Sequence, residues 1–382
     1  MSLTLVKMLY CGQGMTTLVE VYDNGLERAA ADYLALVDCG GDDGDAAVSY
    51  VAWKVGQSGG NLNDIIISHQ DDDHNRLLKP LGEKLKPINA KVGSIHLGGK
   101  EWDKKNFKTV AEFAAALGYQ GGIVHLEDHR SDYANVNDPQ DLKLLAKHGD
   151  VYLRILTSNL AVTGSKDVRR NGSSAAVVVE NGVYSVVLPG DATYHTMDEI
   201  YDTLLRHPFL PQVVGLSAPH HGAMRTAVEN YRSGGSPWDF GWVLVDVFAG
   251  ILEPWHIVAS AGPGNPFGHP MYEVLVQFLP YLAVTPVHAF MTYVSEARAW
   301  CTLKTDSGMW CTVAEMGNFP PIPRNQRSIR VRQDKQRVSR GNIVVKLAPP
   351  NVLQRGEMVA FELSVASATY GPDAIVAPPP AL

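Results

Sequence analysis

The fold is decided by the stretch Asp64-Ile65-Ile66-Ile67-Ser68-His69-Gln70-Asp71-Asp72-Asp73-His74. Its apolar start predicts a short buried strand. The strand ends in carboxylates and imidazoles, which cannot continue into an apolar core because burying them without partners is costly. The pattern therefore predicts a metal site at the carboxyl end of a strand. The alternative is an acidic turn that caps the following helix. The ligand-type side chains of the stretch are His69, Asp71, Asp73 and His74.

Three later segments carry the same chemistry. Residues 186–191 form an apolar strand that ends in an aspartate, and residues 216–222 form another that ends in paired histidines. His269 stands on a loop before a predicted helix. A lone histidine is more often structural than a ligand, but four such segments in this order favour one shared site.

The spacing suggests two divalent ions, zinc or manganese, that activate a water for hydrolysis. Asp191 is predicted to bridge them, because one carboxylate can bind both. Either His220 or His221 should complete the second ion's ligands, since adjacent strand residues point opposite ways. The other would orient substrate or stabilise the leaving group. The predicted metal ligands are His69, Asp71, Asp73, His74, Asp191 and His221. The predicted catalytic residues are Asp73, His220 and His269, the last as a phosphate contact or general acid.

The order of these motifs resembles the metallo-β-lactamase superfamily. That family's usual first motif is His-x-His-x-Asp-His. In this chain Asp71 replaces the second histidine, and this variant of the motif resembles that of the ComEC-like branch of DNA-uptake proteins. The resemblance implies a four-layer αββα sandwich with the metals at one sheet edge. The family's further histidine ligand before Gly190 has no convincing equivalent. Other segments that resemble the family are Cys11-Gly12-Gln13-Gly14, residues 35–41, Asn171-Gly172-Ser173-Ser174, Pro219-His220-His221-Gly222 and Gly268-His269-Pro270.

The chain has 382 residues, of which 45% are hydrophobic, and suits one large domain with a small appendage. We predict a hydrolase domain over residues 1–320 and a basic linker with a small β-rich arm and disordered tail over residues 324–382. Alternating strands and helices indicate a layered α/β fold. Among them are a hairpin turn at Asn181-Gly182, a helix near 139–148 and a strand near 241–247.

Four cysteines without a Cys-x-x-Cys motif suggest reduced thiols in a cytoplasmic protein. The sequence has no apolar run long enough to predict a membrane span, and its first residues lack the apolar stretch of a signal peptide. The net charge of −7 argues weakly against a nucleic-acid partner. However, residues 76–108 contain nine basic and three acidic residues, and residues 324–346 contain eight and one. Such blocks attract polyanions, although the first could equally be a solvated face. The lysines of the first block that are predicted to line a path for a polyanion are Lys79, Lys84, Lys86, Lys100, Lys104, Lys105 and Lys108.

The leading functional hypothesis is a metal-dependent phosphodiesterase or nuclease acting on DNA. The basic blocks and the ComEC-like motifs both favour nucleic acid, and a phosphodiester, which brings its own anionic oxygens to two metals, is a suitable substrate for a site that contains Asp71. One alternative is hydrolysis of a small phosphodiester or cyclic nucleotide. Another is a non-catalytic, metal-stabilised module that binds a protein partner through the C-terminal arm. An iron oxidoreductase is less favoured, since no flavin- or thiol-binding motif supports it.

Overall fold

The computed structural model describes residues 2–100, 102–126, 143–182, 184–206, 210–228, 243–260, 267, 269–270, 272–278, 281, 309–311, 313–315, 338–347 and 366–367. The strands of this part of the chain are β1 (Leu3–Met8), β2 (Thr16–Tyr22), β3 (Tyr33–Cys39), β4 (Asn61–Ile67), β5 (Lys91–Leu97), β6 (Ile123–His125), β7 (Leu144–His148), β8 (Val151–Thr157), β9 (Ala176–Asn181), β10 (Tyr184–Leu188), β11 (Gln212–Ser217), β12 (His256–Ala259), β13 (Met309–Cys311), β14 (Val313–Glu315), β15 (Val338–Leu347) and β16 (Ala366–Ser367).

The α-helices of the same residues are α1 (Asp45–Gln57), α2 (Asp72–Asn75), α3 (Leu78–Leu85), α4 (Lys104–Ala116), α5 (Lys166–Gly172), α6 (Tyr194–Arg206), α7 (Met224–Ala227), α8 (Val243–Leu252) and α9 (Tyr272–Phe278). Short 3₁₀ segments cover Lys86–Ile88 and Pro219–Gly222. None of the described helices combines the length and the apolarity needed to cross a bilayer.

The strands form two sheets. The first has the order β14-β15-β1-β2-β3-β4-β5-β6, with β16 paired to β15, and the second has the order β13-β12-β11-β10-β9-β8-β7. In the first sheet, β3, β4, β5 and β6 run parallel. In the second, β10, β11, β12 and β13 do so. Each sheet therefore presents several strand carboxyl ends along one edge, where polar loops are gathered.

Three apolar clusters separate four layers. The cluster between the sheets takes Val6 and Ile66 from the first sheet and Val177 and Val214 from the second. A second cluster packs the outer face of the first sheet against α1, α3 and α4. A third packs the outer face of the second sheet against α6, α8 and α9. This arrangement confirms the predicted αββα sandwich.

Strand β1 shows why the sequence adopts this layering. Leu3 and Leu5 belong to the cluster under the helices, whereas Val6 and Met8 belong to the cluster between the sheets. Successive strand residues point to opposite faces. A strand covered on both faces must therefore be apolar at nearly every position, which explains the continuous apolar runs of this sequence.

The strand predicted within the C-terminal appendage lies in the first sheet. β15 pairs antiparallel with β1, with Val345 opposite Val6, and Val345 and Leu347 are buried in the cluster between the sheets. This strand, which lies within the predicted appendage of residues 324–382, is therefore part of the first sheet. The predicted boundary at 320–324 and the tail after residue 367 fall outside the described residues, so the domain division stays a prediction.

Two predicted elements are wrong in type. Residues 144–148 of the predicted helix 139–148 form β7, which pairs antiparallel with β8 at a sheet edge. Residues 243–252 form α8 where a strand near 241–247 was expected. A short apolar run does not distinguish a buried helix from a strand, and packing against α6 and α9 decides the second case. The Asn181-Gly182 hairpin is confirmed by the antiparallel pairing of β9 with β10.

A buried charge network joins the first sheet to α1. Glu20 is 0% exposed, and its Oε2 lies 3.0 Å from Lys7 Nζ and 3.3 Å from Lys54 Nζ. Tyr50 Oη donates to Glu20 Oε1 at 2.7 Å. Burial opposes the anion, but the two lysines outweigh it and hold the pKa of Glu20 below its ordinary value. The network therefore depends on Glu20 being ionised.

We predict that Glu20→Gln lowers the free energy of unfolding by about 3–5 kcal/mol, because it removes the carboxylate partner of buried Lys54 and leaves Lys7 with the exposed Glu27 alone. Glu27→Gln is the matched control, since Glu27 also contacts Lys7 but its side chain is 55% exposed; such pairs contribute at most about 1 kcal/mol. The loss of unfolding free energy caused by Glu20→Gln should reach its full size above about pH 4.3, the ordinary glutamate pKa. It should shrink as the pH falls through the lower folded pKa. Denaturant unfolding at several pH values measures it, and equal losses in both variants would contradict it.

Candidate metal centre

The first half of the site lies where β3 and β4 end. Ser68 and His69 follow β4 directly, and α2 turns the chain back so that His74 is buried against them. Gly40, just after β3, makes this turn possible. A Cβ on Gly40 would lie 2.1 Å from the Asp73 carbonyl and 2.3 Å from His74 N. The close approach of these two loops therefore excludes any side chain at position 40.

The second half lies where β10, β11 and β12 end. Asp191 follows β10, the segment Pro219–Gly222 follows β11, and Ser260 follows β12. His220 N donates to Gly190 O at 3.1 Å, which ties the first two of these loops together. The parallel strands of both sheets thus bring their polar ends to one place.

The carboxylate of Asp191 is the centre of the cluster. Its Oδ1 lies 2.9 Å from His74 Nε2 and 3.5 Å from His221 Nε2. Its Oδ2 lies 3.2 Å from His220 Nε2 and 3.5 Å from His69 Nε2. Each oxygen therefore faces one pair of imidazoles, and every imidazole presents the same nitrogen.

His220 and His221 both approach Asp191, whereas the sequence analysis expected their side chains to point opposite ways. That expectation assumed a strand. The two residues instead adopt left-handed backbone conformations, with φ of 44° and 54°. Left-handed conformations are uncommon for residues other than glycine, and such strain tends to occur at functional sites. Here it turns two adjacent side chains toward one carboxylate.

Hydrogen bonds at the other ring nitrogens fix the imidazoles. His74 Nδ1 donates to Asp38 Oδ2 at 2.9 Å, and His221 Nδ1 donates to Ser260 O at 3.0 Å. Both acceptors lack a proton of their own, so Nδ1 must carry it and a neutral ring keeps a lone pair on Nε2. Asp38 also accepts from Ser68 Oγ at 2.9 Å, which leaves that hydroxyl free to accept from His69 Nδ1 at 3.1 Å.

The atoms that face each other across the cluster lack hydrogen bonds. Among the described residues, the buried Nε2 atoms of His69 and His221 have no hydrogen-bond partner, and His74 Nε2 and Asp191 Oδ1, although 2.9 Å apart, are not aligned as a hydrogen bond. Buried polar atoms without partners are rare and call for an explanation such as an ion. Two sets of side chains bring their ligand atoms within 4.8 Å of one another: His69, His74 and Asp191, and Asp73, His74 and His221. This donor set fits a divalent metal ion.

The charges of the cluster are coupled. Burial works to raise the pKa of Asp191, but the surrounding imidazoles, His220 and His74 foremost, hold it well below its ordinary value. Burial likewise opposes the cationic form of His74, but Asp191 and Asp38 raise its pKa well above the ordinary value. Without a metal, imidazolium charge therefore balances the buried carboxylate.

Asp71 and Asp73 lie at the rim. Asp73 Oδ2 is 3.6 Å from His221 Nε2, and Asp71 Oδ2 is 3.7 Å from His69 Nε2. Asp71 belongs to neither set of clustered ligand atoms, and its Oδ1 lies 3.3 Å from Arg170 Nη2. Of the two predicted carboxylate ligands from the first motif, Asp73 is therefore the better placed in this structure.

His269 lies beside the paired histidines. Its ring centroid is 5.5 Å from that of His220 and 6.2 Å from that of His221. Burial, with help from these two neighbours, lowers the pKa of His269 to about 3. A neutral imidazole can donate a hydrogen bond to a substrate oxygen. The two predicted roles of His269, phosphate contact and general acid, both stay predictions.

The sequence analysis did not identify the residues that orient the candidate ligand side chains. Asp38 stood in a noted segment, but nothing local indicated that it would contact His74. The other missed residues act through the three-dimensional fold alone: Ser68, Arg170, Thr226, whose Oγ1 lies 2.6 Å from His220 Nδ1, and Ser260. For Asp38, Ser68 and Ser260 the available signal was a polar residue at the carboxyl end of a buried strand, whereas Arg170 and Thr226 lie in helices and carried no such signal.

No protein-family model matches the sequence, and no curated protein matches it. The metallo-β-lactamase fold protein YhfI from Bacillus subtilis is 14% identical with a TM-score of 0.41, over 74% of this chain and 94% of that chain. CmlA, a diiron β-hydroxylase from Streptomyces venezuelae, is 15% identical with a TM-score of 0.39, over 73% and 51%. A long-form RNase Z from yeast is 10% identical with a TM-score of 0.37, over 69% and 38%. These likenesses are too distant to decide the chemistry, and the ComEC-like branch stays a prediction.

We predict that Asp38→Asn weakens divalent-metal binding by about 10–100-fold, the usual cost of losing an outer partner of a ligand. An amide can donate to His74 Nδ1, which would move the imidazole proton to Nε2. Asparagine tolerates the φ of 56° at this position, so the backbone should persist. Calorimetric titration of metal-freed protein with Mn²⁺ measures the change.

Asp64→Asn is the control for this substitution. Asp64 is a buried carboxylate of β4 that accepts from Tyr33 Oη at 2.7 Å, away from the cluster. It should leave the metal affinity unchanged. Wild-type affinity in the Asp38→Asn protein would show that Asp38 does not set the state of His74.

Proposed function

We propose that this protein is a metal-dependent hydrolase that cleaves phosphodiesters, with DNA as its substrate. The observation that carries the proposal is the placement of each Asp191 oxygen before a separate pair of imidazole Nε2 atoms. Asp191 would contact two divalent ions, zinc or manganese. Bound there, they would supply an activated water and stabilise the attacking and leaving oxygens. The first ion would be held by His69, His220 and Asp71, and the second by His74, His221 and Asp73.

We propose that His220 serves as the further histidine ligand for which the sequence shows no convincing equivalent before Gly190. Its Nε2 shares Asp191 Oδ2 with His69, and its Nδ1 contacts Thr226 Oγ1 at 2.6 Å. Burial lowers the pKa of His220 although Asp191 opposes the shift. A neutral imidazole is the form that binds a metal. We therefore assign His220 to metal binding and leave substrate contact to His269.

The surroundings of the cluster favour an anionic substrate. Lys105 Nζ lies 2.5 Å from Asp72 Oδ2. This contact places the start of α4 beside residues 68–74, the proposed metal-binding loop. Lys104 and Lys105 are both exposed in the first turn of that helix, whose amino end carries partial positive charge. A phosphate backbone would meet these groups as it approached the cluster.

The other lysines of the basic block are spread over the surface. Lys86 precedes β5 and Lys91 is its first residue, so both lie at the end of the sheet opposite the cluster. Lys84 pairs with Asp45 and Lys108 with Glu112. Lys104 and Lys105, together with Lys100, whose carbonyl accepts from Gln70 Nε2 at 2.9 Å, are the lysines of the block that we expect to contact a nucleic acid.

We predict that Asp191→Asn removes bound metal and lowers hydrolysis by more than about 100-fold, beyond the cost of losing an outer partner. The amide has the same shape, so the fold should persist. Elemental analysis and digestion of linear, circular and single-stranded DNA and of RNA, with Mn²⁺, Zn²⁺ or Mg²⁺, test this. Asp64→Asn is again the control. Full activity in a folded, metal-free Asp191→Asn protein would refute the metal mechanism.

We predict that the double substitution of Lys104 and Lys105 by Gln weakens DNA binding and flattens its dependence on salt. The slope of log K against log salt should become about 1–2 less negative, since each phosphate contact contributes about one. Substituting Lys86 and Lys91 by Gln removes the same charge far from the cluster and should change neither. Cleavage of a small chromogenic phosphodiester should stay constant in both proteins. Equal effects of the two pairs would argue against a substrate path along α4, and poor DNA cleavage by wild type would favour a small substrate.

A further inference from the structure

Arg170 lies between two carboxylates at the rim of the cluster. Its Nη2 is 3.3 Å from Asp71 Oδ1 and 3.1 Å from Asp103 Oδ2. The Arg170 side chain is 15% exposed and that of Asp71 is 27% exposed. An isolated surface ion pair is mobile and contributes little. A guanidinium held by two carboxylates in a partly buried place is far more restricted, because its planar donors are already oriented.

The backbone segments that carry Arg170 and Asp103 are fixed by hydrogen bonds. Arg170 O accepts from Ser173 Oγ at 2.8 Å, and Ser173 Oγ accepts from Lys100 N at 2.9 Å. Ala175 N donates to Ser68 O at 2.8 Å, which ties the segment after Arg170 to the metal-binding loop. Asp103 caps α4 by accepting from Asn106 N at 2.8 Å. The guanidinium therefore joins three fixed elements.

The consequence for Asp71 is a carboxylate with two distinct oxygens. Oδ1 is engaged by Arg170, while Oδ2 faces His69 Nε2 at 3.7 Å. A ligating carboxylate whose second oxygen is hydrogen-bonded binds through one oxygen in a defined direction. The guanidinium also offsets one negative charge in a site with three carboxylates, Asp71, Asp73 and Asp191.

We propose that Arg170 is a positioning residue of the metal centre. It holds Asp71 with Oδ2 directed at the cluster, and Asp103 is its second anchor. The inference rests on the proposed metal site, but it concerns the orientation of one ligand rather than the existence of the site.

The test is titration of metal-freed, full-length protein with Mn²⁺ by calorimetry. Arg170→Gln should weaken binding by about 10–100-fold. The Mn²⁺ affinity of Arg170→Lys should fall between those of Arg170→Gln and wild type, because an ammonium keeps the positive charge but lacks the planar N–H donors of a guanidinium. Arg169→Gln is the matched control: it removes the same charge one residue earlier, where the guanidinium donates to Gly164 O at 3.0 Å. It should leave the affinity unchanged.

A double-mutant cycle separates positioning from general charge. In an Asp71→Asn background, Arg170→Gln should cause no further loss. If Asp71→Asn alone abolishes binding, the order Arg170→Gln below Arg170→Lys below wild type, with Arg169→Gln at wild type, decides the case. Asp103→Asn provides an independent route if Arg170→Gln fails to fold. It keeps an oxygen that can cap α4 but removes the anionic anchor, and should weaken binding less than Arg170→Gln.

Unchanged or tighter Mn²⁺ binding in Arg170→Gln would overturn the inference, because the guanidinium would then only repel the cation. An equal loss in the wild-type and Asp71→Asn backgrounds would overturn it as well. If wild type binds neither Mn²⁺ nor Zn²⁺, the proposed metal site itself is wrong. If wild type binds metal and only the Arg170 effect is missing, the metal site stands without this role for Arg170.

Discussion

The buried carboxylate of Asp191 is the interaction on which the rest of the site depends. An isolated carboxylate in an apolar interior would be neutralised or would destabilise the fold. Asp191 is instead surrounded by four imidazole Nε2 atoms within 3.5 Å of its oxygens. In metal-free protein, protonation of His74 supplies the balancing charge, as its raised pKa indicates. A divalent ion would replace that proton, so metal binding should be coupled to proton release.

The αββα architecture makes this convergence possible. Ser68 to His74 come from the first sheet and Asp191 to His221 from the second, and parallel strands bring both sets to one edge. Local backbone then does the fine placement. Left-handed conformations at Asp38, His220 and His221 direct three side chains inward. The orienting partners of His69, His74 and His221 are groups that can only accept, or one already committed as a donor, so these three imidazoles present lone pairs to a common space.

Much of the site could be predicted because its ligands are local to strand ends. The segment from His69 to His74 and the strand ending in Asp191 can be recognised in the sequence, because charged groups directly follow apolar runs there. The orientation of His220 and His221 could not be predicted, since it depends on a strained turn that sequence periodicity does not report. Arg170 and Ser260 were equally hidden, because each acts on a residue distant in the chain. The same limit explains α8 and β7, where packing partners rather than local pattern chose the element.

The most direct measurement of the central claim is anomalous diffraction at the manganese edge from crystals of the protein grown with Mn²⁺. The account predicts two anomalous peaks on opposite sides of the Asp191 carboxylate. One should lie beside His69 and His220, and the other beside His74 and His221. A structure with no manganese peak in contact with Asp191 would contradict it.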